Sequence, residues 1–208
     1  MGIYARHNDE WYNVYDGGKL GGLEGLGGWA KVTSVTGESG NRYTYTADGT
    51  NWVAYEFTDD GTLQTSGGLL DLLVIGGGAK ENNDRGMPGN VAHGVEEIPS
   101  GNHNITIGAG AGVHNYPGSP TNLGDLLLYG GGTYPSVSIT ADTFPGVYSK
   151  IQGPTEGKWF ACGSLSPNKQ GNAGDSGNSV LNGQNGIAIV RVPANHALAT
   201  IPNTWGDL

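Results

Sequence analysis

The sequence predicts an all-β fold: a glycine-rich β-sandwich or jelly-roll-like domain preceded by a small N-terminal β-hairpin and a linker. Three observations predict it. Short apolar runs bounded by glycine recur at Leu69–Ile75, Asn104–Ile107, Leu126–Tyr129 and Ile187–Val192, the pattern of buried strands. No stretch of useful length carries the 3.6-residue apolar period of a helix. Glycine supplies 39 of 208 residues without the strict every-third-residue order of collagen, so each glycine cluster calls for a local explanation.

In chain order, Ile3–Val14 alternates about Asn8-Asp9 and reads as the hairpin. Asp16–Gly28 follows, with glycine pairs at 17–18, 21–22 and 27–28 separated by leucines, and reads as a linker. Trp11 and Tyr12 of the hairpin, with Leu20, Leu23 and Leu26 of the linker, are the candidate attachment residues. Strands are expected over Trp29–Val35, Asn41–Thr46 and Asn51–Thr58, separated by turns at 37–40 and 47–49, with a third turn at 59–61.

Leu63–Thr65 and Leu69–Ile75 are expected as two further strands, the second buried on both faces because nearly every residue is apolar. It stops at Gly76-Gly77-Gly78, and Leu126–Tyr129 likewise stops at Gly130-Gly131-Gly132. Such triplets permit close backbone approach, and where they recur they let extended, polyproline-like segments stack without side chains between them. Lys80–Gly94 reads as a polar loop, Ile98-Pro99-Ser100-Gly101 as a turn before the strand at 104–107, residues 133–180 as turn-rich, and Gly186–Val192 as the last strand. The expected division is 1–28 for hairpin and linker, 29–200 for the glycine-rich domain and 201–208 for a C-terminal tail.

A net charge of −9 and only 10 Lys and Arg, never clustered, argue against a nucleic-acid partner. The single Cys162 excludes an internal disulfide and a cysteine zinc site. No apolar run approaches the roughly 20 residues of a membrane span, and Met1–Val14 lacks the basic start and apolar core of a secretory signal. Neither membrane insertion nor general secretion is expected.

Each motif with a chemical reading has a plainer one. Gly108-Ala109-Gly110-Ala111-Gly112 follows a strand like a dinucleotide loop, but no helix follows to face a pyrophosphate. Gly174-Asp175-Ser176-Gly177 resembles a protease nucleophile loop and Val91-Ala92-His93 its histidine segment, yet the spacing is too short for that family's two barrels, and a solvent loop is the expectation. Glu96-Glu97 and Asp59-Asp60 are adjacent carboxylates, which a strand sends to opposite faces and a turn leaves in solvent. The histidines at 7, 93, 103, 114 and 196 lack ligand spacing. No catalytic residue, cofactor or metal is therefore expected. Tyr116, Tyr134, Tyr148 and Trp159 fall in loop regions, where aromatic rings either stack on sugars or cap small cores.

Taken together, Tyr55-Glu56-Phe57-Thr58, the run Gly68–Gly78, Ile98–Gly112, Thr121-Asn122-Leu123-Gly124 and Gly186–Pro193 resemble, in this order, the glycine-rich domain of minor tail proteins and tail fibres of long-tailed bacteriophages, notably those infecting mycobacteria and related actinobacteria. The similarity spans roughly residues 52–193. Lys80–Gly94 stands where that family has a long polyglycine stretch, which predicts at most a small glycine stack. Arg6–Val14 is similar to short hairpin repeats common in phage tail proteins. The resemblance implies a non-enzymatic virion protein of the phage tail, at or near its tip, contributing to structure or host adhesion. Other tail proteins and a host cell-surface glycan are the implied partners, and a homo-oligomer, with a trimer favoured, is the expected assembly. The rival readings are a carbohydrate-binding adhesin proper, a surface-polysaccharide hydrolase using Glu97, and a purely architectural spacer.

Overall fold

The computed structural model describes residues 4–7, 10–13, 28–38, 42–80, 87–113, 116–128, 130, 146–153, 157–162, 172–177 and 182–198, with backbone alone for 4–13 and 127–128. In chain order the strands are β1 (Tyr4–His7), β2 (Glu10–Asn13), β3 (Val32–Thr36), β4 (Arg42–Ala47), β5 (Thr50–Phe57), β6 (Gly61–Ile75), β7 (Val91–Thr106), β8 (Thr121–Leu123), β9 (Leu126–Leu128), β10 (Val147–Ser149), β11 (Lys158–Phe160) and β12 (Ile187–Pro193), with a short 3-10 turn at Ala194–His196. The described chain is all-β, without an α-helix.

One large sheet runs β2-β1-β7-β6-β12-β5-β4, with β3 added beside β6 and the β8–β9 pair beside β7. β4 and β5 are joined by a two-residue turn in which Asp48 and Gly49 both take positive φ, 52° and 76°, the primed turn that matches strand twist. β1 and β2 pair antiparallel, from Tyr4 with Asn13 to His7 with Glu10, as expected of a hairpin, and β1 touches the sheet through the parallel pair Ala5–Val95.

The β6–β7 pair differs from the sequence reading. Leu63–Thr65 and Leu69–Ile75 belong to one 15-residue strand, and Ile98-Pro99-Ser100-Gly101 lies inside a 16-residue strand where a turn is expected. Both strands bend instead of breaking. Gly67 and Gly68 take φ of 78° and 121°, and Gly101, which pairs with Thr65 on β6, takes 134°, a region in which an L side chain is strained. The bend exchanges faces: Leu63 on one side of it and Leu70, Leu72 and Val74 on the other belong to the same core, although alternation would set them apart. The sheet thereby folds over itself into a sandwich-like body. Its first core joins Leu63, Ile105 and Leu123 to Val53, Tyr55, Leu72 and Val190. A second core lies on the other face, where Ala54, Leu73, Ile75, Ile187 and Ile189 meet Ile151, Phe160 and Ala161 of the lobe carrying β10 and β11. Leu69–Ile75 is buried throughout, as a strand with a core on each face must be.

Between the second core and the bend, the same face carries a polar cluster. Arg191 pairs with Asp71, donates to the Tyr45 hydroxyl at 2.8 Å and lies 4.3 Å from the Trp52 ring centre, against which Trp29 packs edge-on at 5.3 Å. The Tyr45 hydroxyl in turn donates to the Ile151 carbonyl at 2.7 Å, and Gln152 binds Glu56, so the cluster also ties the β10–β11 lobe to the sheet. Burial pushes the Asp71 carboxyl up, against the pull of Arg191.

Candidate functional site

At the end of the sheet where β6 stops and β7 and β12 begin, their backbones run on as glycine-rich segments 76–80, 87–90 and 182–186. Segments 108–111, 116–120 and 172–177 join them. The N–H groups of the first segment show how they are arranged. Gly76 donates to Asn90, Gly77 to Ser119, Gly78 to Gln184, Ala79 to Met87 and Lys80 to Tyr116, at 2.8–3.2 Å. Residues 76 and 79 thus serve one neighbour, 77 and 80 a second, and 78 a third. Partners that recur every three residues require successive N–H groups about 120° apart, the geometry of a polyproline II helix and not of a pleated strand. The carbonyls of Gly78 and Ala79 accept from Ala111 and Gly177, so one extended segment is hydrogen-bonded to five others.

At four of the close approaches between them only glycine fits. A methyl group on Gly89, Gly118 or Gly183 would collide with the carbonyl oxygen of Gly76, Gly77 or Gly78 in turn, and one on Gly78 with the Asp175 carbonyl. Backbone bonds replace side-chain packing here. The stack is larger than the polar composition of Lys80–Gly94 suggests, because Met87–Asn90 contributes a segment through Gly89 and the two carbonyls at 87 and 90.

Gly174-Asp175-Ser176-Gly177, expected as a solvent loop, is buried in this stack. The Asp175 carboxylate accepts from the Cys162 and Asn172 N–H groups at 2.8 and 3.0 Å, and the Ser176 hydroxyl donates to the Cys162 carbonyl at 3.3 Å. His93 is elsewhere, its Nε2 3.1 Å from the Ser149 hydroxyl. His103 is buried against Thr65 and the Pro99 carbonyl. His114 lies outside the described residues. Glu96 and Glu97 both border a recess of about 250 Å³ floored by Leu72, Ile98 and Leu123. Gly108–Ala111 is a stacked segment, and no α-helix follows it among the described residues.

Among the described residues, the large apolar side chains left exposed are Val113, Tyr116 and Tyr148. Tyr116 stands on the glycine stack beside Lys80, whose ammonium donates to Asn182 at 2.8 Å. Tyr148 and Trp159 are brought together as cross-strand partners on β10 and β11, ring centres 5.3 Å apart. Their pairing is not visible in their spacing along the chain. Tyr134 lies outside the described residues, as do Leu20, Leu23 and Leu26; Trp11 and Tyr12 are placed in β2 by backbone alone. A groove of about 470 Å³ runs along the outer stacked segment, lined by Thr58, Ala173, Asn182, Gln184 and Asn185. No protein-family model, no curated protein and no solved structure matches the chain.

Proposed function

We propose that this chain is a structural protein of a bacteriophage tail, acting at or near the host-facing tip, where it contributes to attachment and has no catalytic role. The observation that supports this most is the glycine stack. It extends the sheet as a bundle of segments held by backbone bonds, so its form does not depend on the side chains of the connections between segments. Lys80 and Met87, Val113 and Tyr116, and Gly177 and Asn182 are the described residues flanking three of those connections, and binding functions concentrate in connections carried by a rigid scaffold. The ordered series of glycine-bounded motifs that resembles phage tail domains supports the same reading. Assembly as a homo-oligomer through residues 1–28, with a trimer favoured, and contacts with other tail proteins belong to it. Mass spectrometry and gold-labelled antibodies applied to purified particles test it: label at the tail end is expected, and particles without the chain, or label confined to the head, refute it. The carbohydrate-binding reading is favoured by one separate observation, the Tyr148–Trp159 pair.

A further inference from the structure

β10 and β11 form a two-stranded sheet of their own, and their register sets Tyr148 directly opposite Trp159 on one face. The other face is seated on the molecule: Phe160 and Ser149 are buried, and Phe160 with the adjoining Ile151 belongs to the second core. The aromatic face is turned outward, with Tyr148 45% exposed.

Tyr148 is exposed without being loose. The Gly157 N–H donates to its hydroxyl at 3.1 Å, and the ring packs against Gly157 so closely that a side chain there would require Tyr148 to move. The backbone at Trp159 is tied down through its carbonyl, which accepts from Asn172 Nδ2 at 2.7 Å, and its ring packs against Tyr148. The two rings meet at 54°, giving a shallow, preformed aromatic angle. Fixing an exposed aromatic before its ligand arrives removes the ordering cost from binding, an arrangement that covering a core does not require.

From this geometry we propose that Tyr148 and Trp159 form a carbohydrate-stacking site that takes the C–H-rich face of a pyranose. That face carries partial positive charge and meets the negative face of an aromatic ring. Size decides against a protein partner. Two such rings offer at most about 150–250 Å² each, well short of the roughly 800 Å² per side of a stable protein interface, but matched to one or two sugar rings. A nucleobase would stack as well, but a net charge of −9 opposes its phosphates. Ala173, next to the Asn172 that holds Trp159, lines the 470 Å³ groove with Asn182, Gln184 and Asn185, whose amides suit the hydroxyls of further sugar units.

This inference rests on the attachment reading for its biological meaning but is tested separately from it. The purified full chain is titrated with the methyl glycosides of glucose, galactose, mannose and N-acetylglucosamine and with soluble glucan, galactan and mannan, read by saturation-transfer NMR and tryptophan fluorescence. At least one probe is expected to bind through its ring C–H protons. Tyr148→Ala and Trp159→Ala should each weaken that binding at least tenfold, and Tyr116→Ala should leave it unchanged. Tyr148→Leu keeps the apolar bulk and serves where an alanine variant does not fold; it should show the same loss. No binding by any probe, or binding that survives substitution of both rings, overturns the proposal. Tail-end label on virions with no sugar binding would sink this site and leave the tail reading standing; sugar binding by a chain absent from virions would do the reverse.

Discussion

The sheet and the glycine stack are continuous in chain yet held together in different ways. Along β6, Leu72 and Val74 reach one core and Leu73 and Ile75 the other, and removing their side chains from water stabilises the strand by about 25 cal/mol per Å² of apolar surface. One residue beyond Ile75 that contribution ends. From Gly76 to Gly78 there is no side chain to bury, and the segment is held by hydrogen bonds to neighbours on every side, each contributing about 1 kcal/mol net. A sheet tolerates a wrong side chain by letting its neighbours change rotamer. Where the glycines of the stack meet their neighbours backbone to backbone there are no rotamers to change, so these close approaches should be the less forgiving although they involve the smallest residue.

That contrast sets the order of expected effects. Gly78→Ala places a methyl group against the Asp175 carbonyl with only backbone around it; overpacking that no side chain can relieve, with two hydrogen bonds disturbed, should cost about 4 kcal/mol or more in urea unfolding. Leu72→Ala leaves a cavity in the first core and should cost about 3 kcal/mol, since neighbouring side chains partly collapse into it. If Leu72→Ala proves the more damaging, the contrast is wrong. Gly49→Ala is the control. Gly49 also resists substitution, through its φ of 76°, but has open space where a side chain would go, so only the conformational cost of about 1 kcal/mol should appear.

A smaller effect separates the regions by pH. Burial, with Glu56 adding to it, pushes the Tyr43 phenol up to about 12, and burial also raises Tyr45 and Tyr55. The folded state keeps protons that the unfolded chain releases from pH near 10 upward, so stability should be level below that point and fall as pH rises towards 12. All three phenols sit on β4 and β5. Tyr43→Phe should therefore flatten part of the alkaline decline seen in thermal melts.

The same contrast explains what could be read from the sequence. Leu69–Ile75 announces a strand buried on both faces, and the expected strand at Asn51–Thr58 lies within one residue of β5, because apolar alternation is a local signal. Pro99 and Gly101 have the chemistry of a turn, and only the pairing of Ile98–Gly101 with Thr65–Gly68 makes them a bend in a continuous pair. That information lies some thirty residues away in the chain. Asp175 and Ser176 look like solvent-loop residues because they sit among glycine and asparagine; their burial follows from backbone bonds of Asp175 to Gln184, Ser176 to Cys162 and Gly177 to Ala79, which leave no mark in composition. Tyr148 and Trp159 can each be singled out by residue type, but their meeting depends on the register of two three-residue strands.

The most direct test of the three-residue repeat is NMR detection of scalar couplings across individual hydrogen bonds. Amide nitrogens at 76, 77 and 78 should couple to the carbonyl carbons of Asn90, Ser119 and Gln184, and the cycle should begin again with Ala79 coupling to Met87. Couplings from alternate residues to a single neighbouring strand, or fast amide exchange with no coupling at all, would show that the segment is pleated or unpaired and contradict the stack.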